Sequence, residues 1–274
     1  MHRHYLITAI TAVSLIGLSA CSNTYKVANE RATTKPIIIE QSNEADNHAG
    51  WSYSGDTGPE YWGDVEGASS CKIGQEQSPI NIARVTASAK DAPAFNYSQA
   101  ANLRITDNGH TVVYTPATSN NHITIDNERF ELKQFHYHTP SEHQFGGQNY
   151  PAEVHFVHAN SAGNLAVVGL MLEQGAANGI MRILLNGTQL SSENQVEFTA
   201  NKVNLSALVP TMPTFYHYKG SLTTPPCSEQ VQWYVVKQPL ALASDQLAIM
   251  TDLYQGNNRP IQPQGSRTVE QVSK

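Results

Sequence analysis

Two histidine-bearing stretches, Gln134-Phe135-His136-Tyr137-His138, which alternates throughout, and Glu153-Val154-His155-Phe156-Val157-His158, which alternates as far as Phe156, restrict the fold more than any other part of the chain. Successive side chains of a β-strand point to opposite faces, so Gln134, His136 and His138 share one face while Phe135 and Tyr137 share the other. The same rule groups Glu153, His155 and Val157. If the two strands pair, three imidazoles converge from neighbouring rungs of one sheet. Three neutral nitrogens with the fourth position open describe a catalytic zinc site, because a structural site is closed by a fourth protein ligand. Gln134 and Glu153 each lie two residues before a ligand on the same face, where they can accept the proton of the far ring nitrogen and fix its tautomer. An H-x-H pair alone is more often a surface or core feature; the third histidine with its carboxylate is what favours the metal. His158, on the face opposite His155, reads as a core histidine, as do His143 and His217.

The remainder of the chain is also strand-like. Runs at 103–105, 111–114, 122–125, 129–138, 152–158, 165–172 and 231–236 are separated by turn signals such as Asp107-Asn108-Gly109, Gly146-Gly147 and Ser161-Ala162-Gly163. Helices are expected from Asn178 to about Leu185, and after Ser244 as N-cap, with Asp245 in the first turn and apolar Leu247, Ile249, Met250 and Leu253. With 18 Gly and 14 Pro dispersed among short apolar runs, a helical bundle or coiled coil is excluded. A net charge of -6 provides no basic field for nucleic acid. The expectation is one mainly β domain with minor helices, an α+β fold.

Residues 1–20 read as an address. Arg3 precedes an apolar run from Leu6 to Leu18, about the length of a signal-peptide core and too short for a bilayer span of roughly 20 apolar residues. Leu18-Ser19-Ala20-Cys21 resembles a bacterial lipobox, which makes Cys21 the lipidation site; an ordinary cleaved secretion signal is the alternative. Residues 21–47 are polar and read as a flexible tether, leaving 48–274 as the folded domain. The expected location is the periplasm, anchored by lipid to the outer membrane. Export permits disulfides, and lipidation of Cys21 leaves Cys71 and Cys227 as the two remaining cysteines.

Seven ordered segments extend the pattern: Gln77-Ser78-Pro79-Ile80-Asn81-Ile82, Asn108-Gly109-His110, Gln134 to His138, Ser141-Glu142-His143, Ala152 to His158, Gly220-Ser221-Leu222-Thr223-Thr224-Pro225-Pro226-Cys227 and Asn257-Asn258-Arg259-Pro260. Their order from about Trp51 to Pro263 resembles the α-carbonic anhydrases. That resemblance implies a large, mostly antiparallel, ten-stranded twisted sheet and a Cys71–Cys227 disulfide. It implies zinc as cofactor on His136, His138 and His155, backed by Gln134, Glu153 and the Asn257 carbonyl. Thr223 then accepts a hydrogen bond from zinc-bound hydroxide and donates its own proton to Glu142.

Carbon dioxide and bicarbonate become the substrates, with Val157, Val167, Leu222, Thr224, Val231 and Trp233 around them. Ordinary core packing is the alternative for the apolar members. His110 falls at the proton-shuttle position, with Tyr53, Asn108 and Tyr218 ordering a water chain. Val113 departs from the pattern, since many relatives carry Asn or Gln there. Sulfonamide-type and anion inhibitors follow from the resemblance, and so does a state of monomer or homodimer. A binding module without catalysis and a zinc esterase are the rival functions.

Overall fold

The computed structural model describes residues 50–194 and 197–273. The leader 1–20, the tether 21–47, Cys21 and the first two residues of the expected domain lie outside them. Alternation at period two produces a twelve-stranded sheet. Along its main path the strands run Phe198–Val203, Ala101–Asp107, Val112–Pro116, Glu128–His138, Ala152–Ala159, Leu165–Gln174, Glu229–Leu242, Phe215–Ser221, Glu270–Val272 and Thr86–Ala87. His122–Ile125 and Ala94–Asn96 attach beside this path. Ten strands thus follow the path, and two more join it. A small three-stranded sheet of Asn81–Ile82, Gln144–Phe145 and Gln148–Asn149 stands apart.

Most pairs are antiparallel, but Leu165–Gln174 runs parallel to Glu229–Leu242, and Glu270–Val272 runs parallel to Thr86–Ala87. The sheet is therefore mixed. Its two faces bury different things. Phe135, Phe156, Val168 and Tyr234 lie in one cross-strand row and pack into the larger core. One residue along, His136, His155, Gly169 and Val235 form the neighbouring row, facing the other way. A smaller apolar cluster, including Val157, Val167, Val231 and Trp233, covers part of that second face.

Helix Gly179–Asn194 begins as expected, with Asn178 Oδ1 accepting the N–H groups of Ile180 and Met181, both at 3.0 Å. It continues nine residues past the expected end. The run Asn186-Gly187-Thr188 looks like a loop by propensity, but here it lies against the sheet. A Cβ at Gly187 would sit 2.5 Å from Ile105 Cδ1, so the missing side chain is what permits the approach. The second helix, Ser244–Leu253, places Ser244 inside and Ala243 at the cap, a shift of one residue. Gln246 explains it: Oε1 accepts Ala243 N–H at 3.1 Å and Asn178 N–H at 2.9 Å, so a buried amide closes the helix start and joins the two helices. A four-residue helix, Ser70–Ile73, carries Cys71.

Candidate metal centre

Register decides how the histidines meet. His136 pairs with His155, and His138 with Glu153, across one antiparallel ladder. One ring nitrogen from each of His136, His138 and His155 lies within 4.8 Å of the others. The opposite nitrogens are engaged. His136 Nδ1 is hydrogen-bonded to Gln134 Oε1 at 2.8 Å and His138 Nδ1 to the Asn257 carbonyl at 2.6 Å, while His155 Nε2 lies 3.0 Å from Glu153 Oε1 as a close ion-pair contact outside hydrogen-bond geometry. With His136 Nδ1 and His138 Nδ1 donating to acceptors, their Nε2 atoms are left as lone pairs, and His155 Nδ1 is the nitrogen turned away from Glu153. His138 Nε2 is buried without a hydrogen-bond partner, and a buried polar atom left orphaned is costly. Three neutral imidazole nitrogens are a donor set that suits zinc, and His136, His138 and His155 would hold it with room for one further ligand.

Glu153 is the hub behind them. Its Oε2 accepts the backbone N–H groups of Glu142 and His143 at 3.0 and 2.9 Å, and its Oε1 receives His143 Nδ1 at 2.8 Å. Burial pushes this carboxyl up, but His143 and His155 outweigh burial and hold it well below the usual range. Burial, with His138 and His155 nearby, drives His136 well below the usual histidine value, which keeps it neutral and able to bind a cation. His143 itself cannot serve as a ligand, since its Nε2 meets the Tyr218 hydroxyl at 2.6 Å and both ring nitrogens are used. The core reading of His143 therefore stands. So does that of His158, buried between the Tyr97 hydroxyl at 2.6 Å and Ala166 O at 3.2 Å, and that of buried His217, which bonds Trp233 O at 3.0 Å.

Gly169, opposite His155 in register, was not singled out from the sequence. A Cβ there would lie 2.7 Å from Glu153 Oε1, so this strand glycine is the space the carboxylate occupies. Arg259 was also missed as a contributor. Its N–H donates to Glu142 Oε1 at 2.7 Å, and its buried guanidinium reaches Gln77 Oε1, Ser78 O and Cys71 O at 2.9, 2.8 and 3.0 Å. The Cys71–Cys227 disulfide is present, with Cα atoms 5.0 Å apart.

Two expected contacts differ. Glu142 Oε2 has no hydrogen-bond partner, so the donation from Thr223 to Glu142 is not formed; Oε1 is taken by Arg259. Oε2 lies 3.6 Å from His138 Nε2 and 3.7 Å from His155 Nδ1, turned toward the histidine cluster. Tyr218 is buried, its hydroxyl bridging Ser78 Oγ at 2.8 Å and His143 Nε2, which places it in the network behind the ligands and not along an open water path.

The other expected residues lie as follows. Val157, Val167, Trp233 and Tyr218 occupy one row across four strands, with Gln134 beside Val157. Leu222 packs against this cluster, and Val231 belongs to it. Thr224 O accepts the Cys227 N–H at 2.8 Å. Val113 pairs with His136. His110 stacks on Trp51, ring centroids 3.9 Å apart and planes 10° from parallel, with Tyr53 edge-on at 6.3 Å. Burial and Glu142 push the Tyr53 phenol well above its ordinary value. Asn108 Oδ1 accepts the N–H groups of His110 and Thr111 at 3.0 and 2.9 Å, which commits it to the turn.

The sequence model of the family described as eukaryotic-type carbonic anhydrase matches residues 57–273. A carbonic anhydrase of Klebsiella pneumoniae is 41% identical over 225 residues, covering 80% of this chain and 89% of that one. One from Pectobacterium carotovorum is 38% identical over 222 residues, covering 80% and 89%. The solved α-carbonic anhydrase of Thermovibrio ammonificans in complex with the inhibitor sulfanilamide superposes with a TM-score of 0.73 at 35% identity, covering 82% of this chain and 100% of that one. With the converging histidines and the length of these matches taken together, the chain belongs to the eukaryotic-type, or α, carbonic anhydrase family.

Proposed function

We propose that this protein catalyses the reversible hydration of carbon dioxide to bicarbonate and a proton, with zinc held by His136, His138 and His155. The observation that carries this reading is the set of three inward nitrogens whose far sides are fastened by Gln134 Oε1, Asn257 O and Glu153 Oε1. Bound zinc would lower the pKa of water to about 7 and so supply a nucleophile at neutral pH, an effect for which carbonic anhydrases are themselves the type case. The protein's part is to place and dry the reactants. Carbon dioxide is small and apolar, and the wall of Val157, Val167, Leu222, Val231 and Trp233 offers it apolar contact beside the ligands. Thr223 would orient the attacking oxygen once its hydroxyl closes onto Glu142 Oε2, the carboxylate oxygen that has no hydrogen-bond partner here. His110 passes the released proton to buffer, since imidazole is the side chain suited to taking up and releasing a proton. Tyr53 and Asn108 line the route between them.

The leader and Cys21 make this an exported lipoprotein of the periplasm. Sulfonamides and small anions would compete at the open zinc position, as the sulfanilamide complex of the Thermovibrio ammonificans protein suggests. Stopped-flow hydration with His136→Ala tests the centre: zinc and activity should both be lost, and full activity would overturn the assignment. Cys21→Ala should move the protein from the membrane fraction to the soluble one; retention at the membrane would refute lipid anchoring.

A further inference from the structure

Asn257 reaches the metal centre and the His110 turn with different parts of one residue. Its backbone carbonyl accepts His138 Nδ1 at 2.6 Å. Its side-chain oxygen accepts the Thr139 N–H at 2.8 Å, and its Nδ2 donates to Tyr137 O and to His110 O, both at 3.1 Å. An amide nitrogen has two hydrogens, and both are used here inside a buried site. Other contacts shape the turn itself. Gly109 takes φ +79°, Asp107 Oδ1 accepts the Gly109 N–H and the Tyr254 hydroxyl, and Asn108 Oδ1 accepts two N–H groups. Thr111 Oγ1 and Asn257 Nδ2 are different in kind, because Thr111 bonds Tyr137 O at 2.7 Å and Asn257 joins that same carbonyl to His110. They tie the turn to the strand end that carries His138.

We propose that the Asn257 side chain is a positioning residue for proton export, fixing the backbone of His110 relative to the metal ligands and so the span its imidazole must bridge. This rests on the reading of His110 as the proton relay. Alanine at 257 keeps the backbone carbonyl that holds His138 and removes only the three side-chain bonds. In dilute buffer, kcat of Asn257→Ala should fall about tenfold, by more than kcat/KM, as misplacing a reacting group by an ångström or less can do. Added imidazole should restore most of that loss. In a His110→Ala background, Asn257→Ala should cost little further kcat.

Equal falls in kcat and kcat/KM without imidazole rescue, or a full additional loss on top of His110→Ala, would overturn the proposal in favour of a merely structural residue. Failure of the underlying reading looks different: His110→Ala would then lose no rate in dilute buffer, whatever Asn257→Ala does. Should the alanine variant not fold, Asn257→Asp keeps the size and the acceptor for Thr139 N–H but loses both Nδ2 donors, and the same ratios decide.

Discussion

Replacing Gly169 by alanine adds one methyl group at a point where the structure has left none. The new Cβ would lie 2.7 Å from Glu153 Oε1, while Val235 Cγ1 and Cγ2, at 3.6 Å, remain in ordinary contact. The conflict is therefore with the carboxylate alone. Glu153 is the end of a side chain but not a free one, because three nitrogens hydrogen-bond it, Glu142 N, His143 N and His143 Nδ1, at 2.8 to 3.0 Å, and His155 Nε2 lies 3.0 Å from it as an ion-pair contact. Either the ladder bows by several tenths of an ångström, a form of overpacking that costs about 1–3 kcal/mol, or Oε1 swings away and weakens one charge-assisted bond worth about 1.5–3 kcal/mol. Lower unfolded-state entropy returns about 0.4–1 kcal/mol of this. A net loss of roughly 1–2 kcal/mol follows, or a Tm lower by about 3–8 °C for a domain of this size.

Because Oε1 is the atom facing His155, zinc affinity should fall as well, by about 10–100-fold. Calorimetry and a competitive chelator titration read the two effects. Gly179→Ala is the control: nothing lies within 4 Å of its Cβ, and it opens a helix, so stability should hold or rise. Wild-type Tm and zinc affinity in Gly169→Ala would refute the argument that this glycine exists to accommodate Glu153.

Other predictions follow from the same contacts. Reducing the Cys71–Cys227 bridge, whose sequence separation is 156, should cost up to about 5 kcal/mol by chain entropy. Thermal scans with and without reductant should differ by roughly 10–20 °C, and a shift below about 3 °C would contradict that estimate. His158 is pushed down to about 3 by burial, while an unfolded histidine titrates near 6.5. The unfolded chain thus binds the extra proton, and its share of stability is lost as pH falls from 6.5 toward 3, at about 1.4 kcal/mol per pH unit. His158→Leu should cost about 1–3 kcal/mol at pH 7 by orphaning the Tyr97 hydroxyl, yet its deficit should shrink by a few kcal/mol, on the order of 2–3, at pH 4.5; a constant deficit in denaturant melts would refute this. Tyr218→Phe should destabilise by about 1–3 kcal/mol, since Ser78 Oγ and His143 Nε2 lose their partner. Imidazole should restore none of any rate lost, and rescue by imidazole would return Tyr218 to the proton path.

What the sequence conveyed and what it hid have physical causes. The metal strands were legible because alternation within each one puts His136 with His138, and His155 with Glu153; only the register of the two strands then brings the three histidines to one side. Strand Phe215–Ser221 was missed because it is buried apart from Lys219 and half-buried Tyr216, and its residues show no regular apolar–polar alternation. The parallel pairing of Leu165–Gln174 with Glu229–Leu242 spans more than fifty residues and leaves no local mark. Arg259 N–H and Glu142 Oε1 are 117 residues apart, and the demand on Gly169 comes from a carboxylate on the next strand. Such roles belong to the assembled sheet. Tyr218 shows the converse, a residue assigned by position to the water path whose hydroxyl is consumed in a buried network.

The central claim is that His136, His138 and His155 hold a zinc ion that hydrates carbon dioxide. It is tested most directly by stopped-flow hydration on the purified protein, with zinc quantified in the same sample. Rapid hydration at one zinc per chain is expected, abolished by a chelator and recovered on adding zinc back. One zinc per chain without hydration would contradict it, and would leave a zinc-loaded binding module in its place.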